Sequence, residues 1–190
     1  MKPFKEIEGK EVLSSDGRVM GKLTDLIYSQ EYRPVSLIVK MNKDILEELG
    51  EDKPIFSSVR LKIDIDHVKA FSDNIVLNKA LDDLHIYFHV VEEESIASEL
   101  VGNSLSGSEG RDVGKVLDIL VDTGSWGPLS MLVKINKEMV EELNQKRSFL
   151  SKTKMGISMK HVTDVGDIIM LDTTAEEMGD IINDVPIKKM

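Results

Sequence analysis

The stretch Asp16-Gly17-Arg18-Val19-Met20-Gly21-Lys22-Leu23-Thr24-Asp25 decides how this chain is read, because it occurs twice. The second occurrence is Glu109-Gly110-Arg111-Asp112-Val113-Gly114-Lys115-Val116-Leu117-Asp118. The shared pattern is acidic-Gly-Arg-x-x-Gly-Lys-x-x-Asp, and Gly110 and Asp118 each follow their counterparts by 93 residues. A motif repeated in fixed register marks a duplicated structural unit. The acidic-Gly pair is a hairpin signal, since Gly takes positive φ without steric cost. The second Gly, at the start of an apolar segment, marks a bulge or a close approach of two backbones. A phosphate loop is excluded: the Walker spacing is absent, and Leu23 follows Lys22 where Ser or Thr would stand.

Outward from this motif the first half reads as short strands. Glu11–Ser14 precedes the turn and Lys22–Tyr28 follows it. Val35–Lys40 is a nearly continuous apolar run, a central strand. A short helix is expected next, with Asn42 as cap, Met41 and Leu46 as a hydrophobic staple and Gly50 as its left-handed end. Val59, Leu61, Ile63 and Ile65 then alternate with charged residues at a period of two. Ser72-Asp73-Asn74 reads as a turn before the strand Ile75–Leu77. Residues 79–91 fit either a helix or a strand, and comparison of the repeats favours helix. Glu92-Glu93-Glu94-Ser95 is the most linker-like point.

The second half follows the same order. Beyond Pro34 the offset becomes 94, with Pro128, Ser130, Val133, Lys134, Asn136 and Glu142 matching Pro34, Ser36, Val39, Lys40, Asn42 and Glu48. The extra residue falls in the loop near Asp122–Ser125, where insertions are tolerated. Ile135 and Val140 repeat the staple, and Asn144 stands in the place of Gly50 as the expected helix end. Thr174-Ala175-Glu176-Glu177 reads as a capping box opening a last helix. The expectation is a mainly β protein with short helical insertions, in two tandem domains at residues 1–92 and 96–190. Short strands joined by tight turns point to a small or half-open β-barrel in each.

The composition narrows the function. The 190 residues carry a formal net charge of −10 and no cysteine. The charge disfavours nucleic acid and anionic lipid as partners and favours basic protein surfaces. The missing cysteines remove disulfides, thiolate catalysis and Cys-ligated metals. The first residues lack the apolar core of a signal peptide, and no apolar run is long enough to span a bilayer, so a cytoplasmic protein without membrane insertion is expected.

These residues resemble the PRC-barrel domain family. Its pattern is matched by Gly9-Lys10-Glu11-Val12, by Asp16-Gly17, by Met20-Gly21-Lys22-Leu23, by Asp25, and by the strand Val35–Val39. The second copy departs at its start, where Gly102-Asn103-Ser104-Leu105 lacks the Lys and the Val, but it keeps Gly110, Gly114, Lys115 and Asp118. The resemblance implies a small six-stranded barrel that acts as a binding module, not an enzyme. The chain looks most like the soluble archaeal forms, some of which act as adapters around the anchor of the tubulin-like division ring. The resemblance therefore implies other proteins as partners, division-ring components among them, with homo-oligomers or an internal pseudo-dimer of the two halves. The alternative is a ribosome-maturation or RNA-processing assembly factor, a role also found in the family.

No catalytic residue, cofactor or metal site is expected. His85 and His89 are four apart, but no third ligand accompanies them. The repeated His67 and His161 read as packed or hydrogen-bonded structural residues. Asp25 and Asp118 read as strand-end hydrogen-bond acceptors. With Gly17, Gly21, Gly110 and Gly114 they form the fold signature. Glu47-Glu48 and Glu141-Glu142 read as solvated helix faces, with docking of a basic partner as the functional alternative. Two aromatics, Tyr32 and Trp126, each stand two residues before the loop proline. They pack on their own barrel ends or serve as interface anchors. Val35–Val39 is a further candidate contact face.

Overall fold

A computed structural model describes residues 1–48, 59–84, 89–90, 95–146, 154–174 and 176–182. The first repeat contains β1 (Lys2–Pro3), β2 (Glu11–Leu13), β3 (Val19–Tyr28), β4 (Pro34–Met41), α1 (Lys43–Glu48), β5 (Arg60–Asp64), β6 (Val68–Phe71), β7 (Ile75–Leu77), α2 (Leu81–Leu84) and β8 (His89–Val90). The second contains β9 (Ser104–Ser106), β10 (Asp112–Val121), β11 (Ser130–Ile135), α3 (Lys137–Lys146), β12 (Lys154–Ser158), β13 (Val162–Val165), β14 (Ile168–Leu171) and α4 (Met178–Ile181). The protein is mainly β, as its short strands and tight turns indicate.

Each repeat builds a sheet in the same order. The first runs β6-β7-β2-β3-β4-β5-β8 and the second β13-β14-β9-β10-β11-β12, with β1 added to β10. The ladders are antiparallel except β2 with β7 and β9 with β14, which are parallel. That parallel pair brings the last strand of the repeat beside its first. Among the described residues no ladder joins the two ends of either path, so each sheet is open in its hydrogen bonding.

The long strands β3 and β10 carry the motif, and its residues explain their shape. Gly17 and Gly110 sit at φ of 86° and 80°, in the tight turns before them. Gly21 and Gly114 lie against the neighbouring strand: a Cβ on either would stand 2.2 Å from the carbonyl oxygen of Lys40 or Lys134. Both strands then bulge, between Leu23 and Asp25 and between Val116 and Asp118. The bulge resets the inward phase. Without it Leu26 and Ile119 would turn outward; with it both are fully buried.

The central strands β4 and β11 are apolar on both faces, with Leu37, Ile38, Val39, Met131 and Val133 all within 1% of complete burial. Each such side chain contributes roughly 1.5–3 kcal/mol by leaving water. This removes Val35–Val39 as a contact face, because β4 lies between β3 and β5 and only Val35 is exposed.

Other elements differ from the sequence reading. The alternation ending at Ile65 stops earlier, since Ile65–His67 is a 3-10 turn after β5. The described part of residues 79–91 holds both predicted forms: α2 is four residues long, and His89–Val90 pairs with β5 as an edge strand, while 85–88 and 91 lie outside the described residues. Asn144 does not end α3, which continues through Gln145 and Lys146, both good helix formers. The Gly50 cap lies outside the described residues. Asn136 caps α3, its Oδ1 accepting from the Met139 amide at 2.8 Å. Of the capping box the reach-back half forms, the Thr174 amide donating to Glu177 Oε2 at 3.3 Å, but the Thr174 hydroxyl donates to the same carboxylate, the Glu177 amide donates to Thr174 O at 3.1 Å, and α4 begins only at Met178.

The chain forms two compact units, Glu6–Ala97 and Met1–Lys5 with Ser98–Met190. The division at 92–96 in sequence and these units differ in the heads of the repeats. Met1–Lys5 leaves its own repeat because Lys2 and Pro3 pair with Val121 and Leu120 on β10.

Candidate interaction surface

The repeated carboxylates serve the bulges. Asp25 Oδ1 accepts from the amide of Leu26, and Asp118 Oδ1 from that of Ile119, both at 2.8 Å. An extra residue in a ladder leaves an amide without its cross-strand partner, and the preceding carboxylate supplies one. Asp118 is buried at 5% exposure, whereas Asp25 is half-buried.

The Glu pairs are largely solvated, as expected, but one member of each is tied to an arginine. Glu48 pairs with the Arg18 guanidinium and Glu142 with that of Arg111, the latter at 2.6 Å. In each repeat an arginine of the hairpin turn is tied to the following helix. Both partners recur in the sequence, Arg18 as Arg111 and Glu48 as Glu142, and that recurrence was the available signal.

The histidines differ between repeats. His161 Nδ1 lies 3.2 Å from Asp172 Oδ1, which also accepts from Thr173 Oγ1 at 2.6 Å. These contacts, Thr173 foremost, hold the Asp172 carboxyl below its ordinary range. His161 Nε2 is buried and finds no hydrogen-bond partner among the described residues. In the first repeat Asn78 stands where Asp172 stands, its Nδ2 donating to Asp66 O at 3.0 Å. His85 lies outside the described residues, and His89 belongs to β8. Among the described residues no group of three or more His, Asp or Glu could hold a metal ion.

The aromatic positions have the most unusual backbone. Tyr32 and Trp126 are the non-glycine residues at positive φ among the described residues, at 58° and 50°. A bulky side chain there costs of order 1–3 kcal/mol and persists only where neighbouring bonds over-determine it. Those bonds are present. After β3, the Tyr32 amide donates to Ser29 O at 2.8 Å, the Ser29 amide to Arg33 O at 2.9 Å, and the Glu31 amide to Ser29 Oγ at 3.2 Å. After β10, the Trp126 amide donates to Asp122 O at 2.9 Å. The Asp122 carboxylate accepts from the Gly124 amide at 3.1 Å and from Ser125 Oγ at 2.6 Å. The Ser125 bond leads the effects that hold the Asp122 carboxyl below its ordinary range.

Thus two loops of different length and different hydrogen bonding place an aromatic in the same rare conformation. Both rings are half-buried, which leaves part of each at the surface. Tyr32 rests on Tyr28 with ring centroids 5.9 Å apart, and exposed Val35 follows it in the chain.

Open sheets with short helices, and loops that hold an aromatic at positive φ after β3 and β10, define a mainly β scaffold. The PRC-barrel domain family model matches residues 1–84, less than half of the chain. No curated protein matches the chain. Beyond the match, the second repeat reproduces the strand order of the first. Among the described residues no helix is long and apolar enough to cross a membrane.

Proposed function

We propose that the protein is a non-enzymatic adapter that binds other proteins through the aromatic loops Ser29–Arg33 and Asp122–Gly127. The observation that supports this reading is the positive φ of Tyr32 and Trp126. A loop under no demand to present a large side chain would carry Gly or Asn at that position, which relieves the strain. Both repeats instead hold a rigid, half-exposed aromatic, the residue type that dominates interface hot spots. The resemblance to free-standing archaeal forms adds a setting, in which basic or apolar surfaces of division-ring components are the partners. The net charge of −10 suits basic surfaces and disfavours the RNA-processing alternative.

The test is the pair Tyr32→Gly and Trp126→Gly in the full chain. Glycine removes the ring and the strain together, so unfolding free energies are expected within about 1 kcal/mol of wild type. Affinity capture from the native host is expected to lose the proteins that the wild type retains. Unchanged capture together with a large loss of stability would assign the rings to packing alone.

A further inference from the structure

The heads of the two repeats are exchanged, and the exchange is reciprocal. Lys2 and Pro3, at the head of the first repeat, pair antiparallel with Val121 and Leu120 of the second. Ile96, at the head of the second, bridges Ile27 of the first, and the amide of Tyr28 donates to Ser95 O at 3.0 Å. At the offset of 93, Ser95 and Ile96 correspond to Lys2 and Pro3, and Ile27 and Tyr28 to Leu120 and Val121. The two pairings therefore use the same positions with the repeats interchanged. The crossing points, at residues 5/6 and 97/98, agree to within one residue of that offset and fall in the 3-10 turns Phe4–Glu6 and Ala97–Leu100.

Reciprocal exchange of equivalent arms is the pattern that two identical copies adopt when they trade a segment as a symmetric pair. The strand site on β10 is also built to receive an arm. Leu120 meets Ser130 of β11 on one side and Pro3 on the other. β9 covers only Asp112–Lys115, which leaves the far end of β10 for β1. Met1 packs on the buried pair Leu120 and Leu132 beside Leu117, and the Lys5 ammonium donates to Leu117 O at 3.4 Å. Pro3, which lacks an amide hydrogen, suits a strand joined by few ladder bonds.

We propose that the far end of β10, at Leu120–Val121, binds the Met1–Lys5 arm of a second copy of this chain, so that the protein associates with itself by arm exchange. This goes beyond the adapter reading and does not rest on it. The absence of native cysteine makes a cross-linking test clean. Directly opposed strand residues have Cα atoms about 4.5–5.5 Å apart, within the range a disulfide spans.

Three full-length proteins are required: Lys2→Cys, Val121→Cys and the double variant. The two single variants carry tags of different size. The double variant is expected to form an intrachain disulfide on oxidation. The two single variants, refolded together at high concentration, are expected to give a covalent heterodimer bearing both tags. A synthetic peptide of residues 1–8 in excess is expected to reduce its yield at least several-fold. Light scattering on the unsubstituted chain, refolded at rising concentration, should show dimers that a chain lacking residues 1–5 does not form. The proposal is overturned if the double variant locks while the mixed singles stay monomeric at every concentration. It is equally overturned if the double variant fails to lock, or if removal of the arm leaves dimers unchanged.

Discussion

At the bulge of the long strand the two repeats solve one problem with one residue, whereas at the loop that follows they reach one conformation with different residues. Asp25 and Asp118 each accept from the next amide at the same distance. Tyr32 and Trp126 share a backbone conformation, but a serine hydroxyl organises the first loop and an aspartate the second. The difference separates two kinds of constraint. Where backbone meets backbone, few side chains are tolerated and the repeats agree. Where the chain faces outward, only the geometry is kept and the chemistry diverges.

The largest break in this comparison is expected at the close approach of the strands. Gly21→Ala or Gly114→Ala would push a Cβ against a carbonyl oxygen of the adjacent strand, with no flexible side chain to yield. Each is expected to cost about 3 kcal/mol or more, read from urea unfolding. Gly17→Ala meets nothing within 4 Å and violates only its positive φ, so it is expected to cost about 1 kcal/mol. Equal effects at Gly17 and Gly21 would show that the strands separate to admit a methyl group, and that the motif marks turns alone.

Much of this was legible before any coordinate was known. The repeated glycines announced the turns and the close approach, since no other residue serves both. The apolar run Val35–Val39 announced a central strand, although it was also read as a contact face. Periodicity cannot tell burial within a sheet from burial against a partner, and the ladders with β3 and β5 decide it. The exchanged heads were not legible. Lys2-Pro3 and Ser95-Ile96 share no residue type, and a two-residue pairing has no period. The strain at Tyr32 and Trp126 was equally hidden, because sequence shows an aromatic before a proline but not its φ. For the loops, only the residue type of the candidate site could be read; the bonds holding it could not.

A second effect should sharpen the comparison within the bulge. Asp118→Ala leaves the Ile119 amide without this acceptor in a buried setting, an expected loss of about 2 kcal/mol. Asp25→Ala does the same where the side chain is half-buried, and water offsets part of the loss, for an expected cost of about 1 kcal/mol. Denaturant midpoints with unchanged slopes would measure both. A larger cost at Asp25 than at Asp118 would break the argument from burial.

The smallest effect concerns the position at which the repeats differ in charge, Asp172 against Asn78. The hydroxyl of Thr173, then the His161 ring, lowers the Asp172 carboxyl below its ordinary range. The folded chain therefore binds a proton at Asp172 less readily than the unfolded chain. Stability from this group is fully present above the ordinary carboxylate value, about 3.9, and is lost as the pH falls through the lower folded value. Asp172→Asn gives the second repeat the residue of the first and removes this dependence. Urea unfolding between pH 6 and about pH 2.5 should then show a shallower acid-side decline in the variant. Asp16 and Asp122 are lowered as well, by Ser14 and Ser125 foremost, so a residual slope remains in both proteins. The decisive quantity is the difference between the two slopes. Thr173→Val is expected to reproduce most of it, because the threonine hydroxyl is the leading cause of the shift. A variant at Thr173 with the wild-type slope, beside an Asp172→Asn variant with a reduced one, would move the cause to His161.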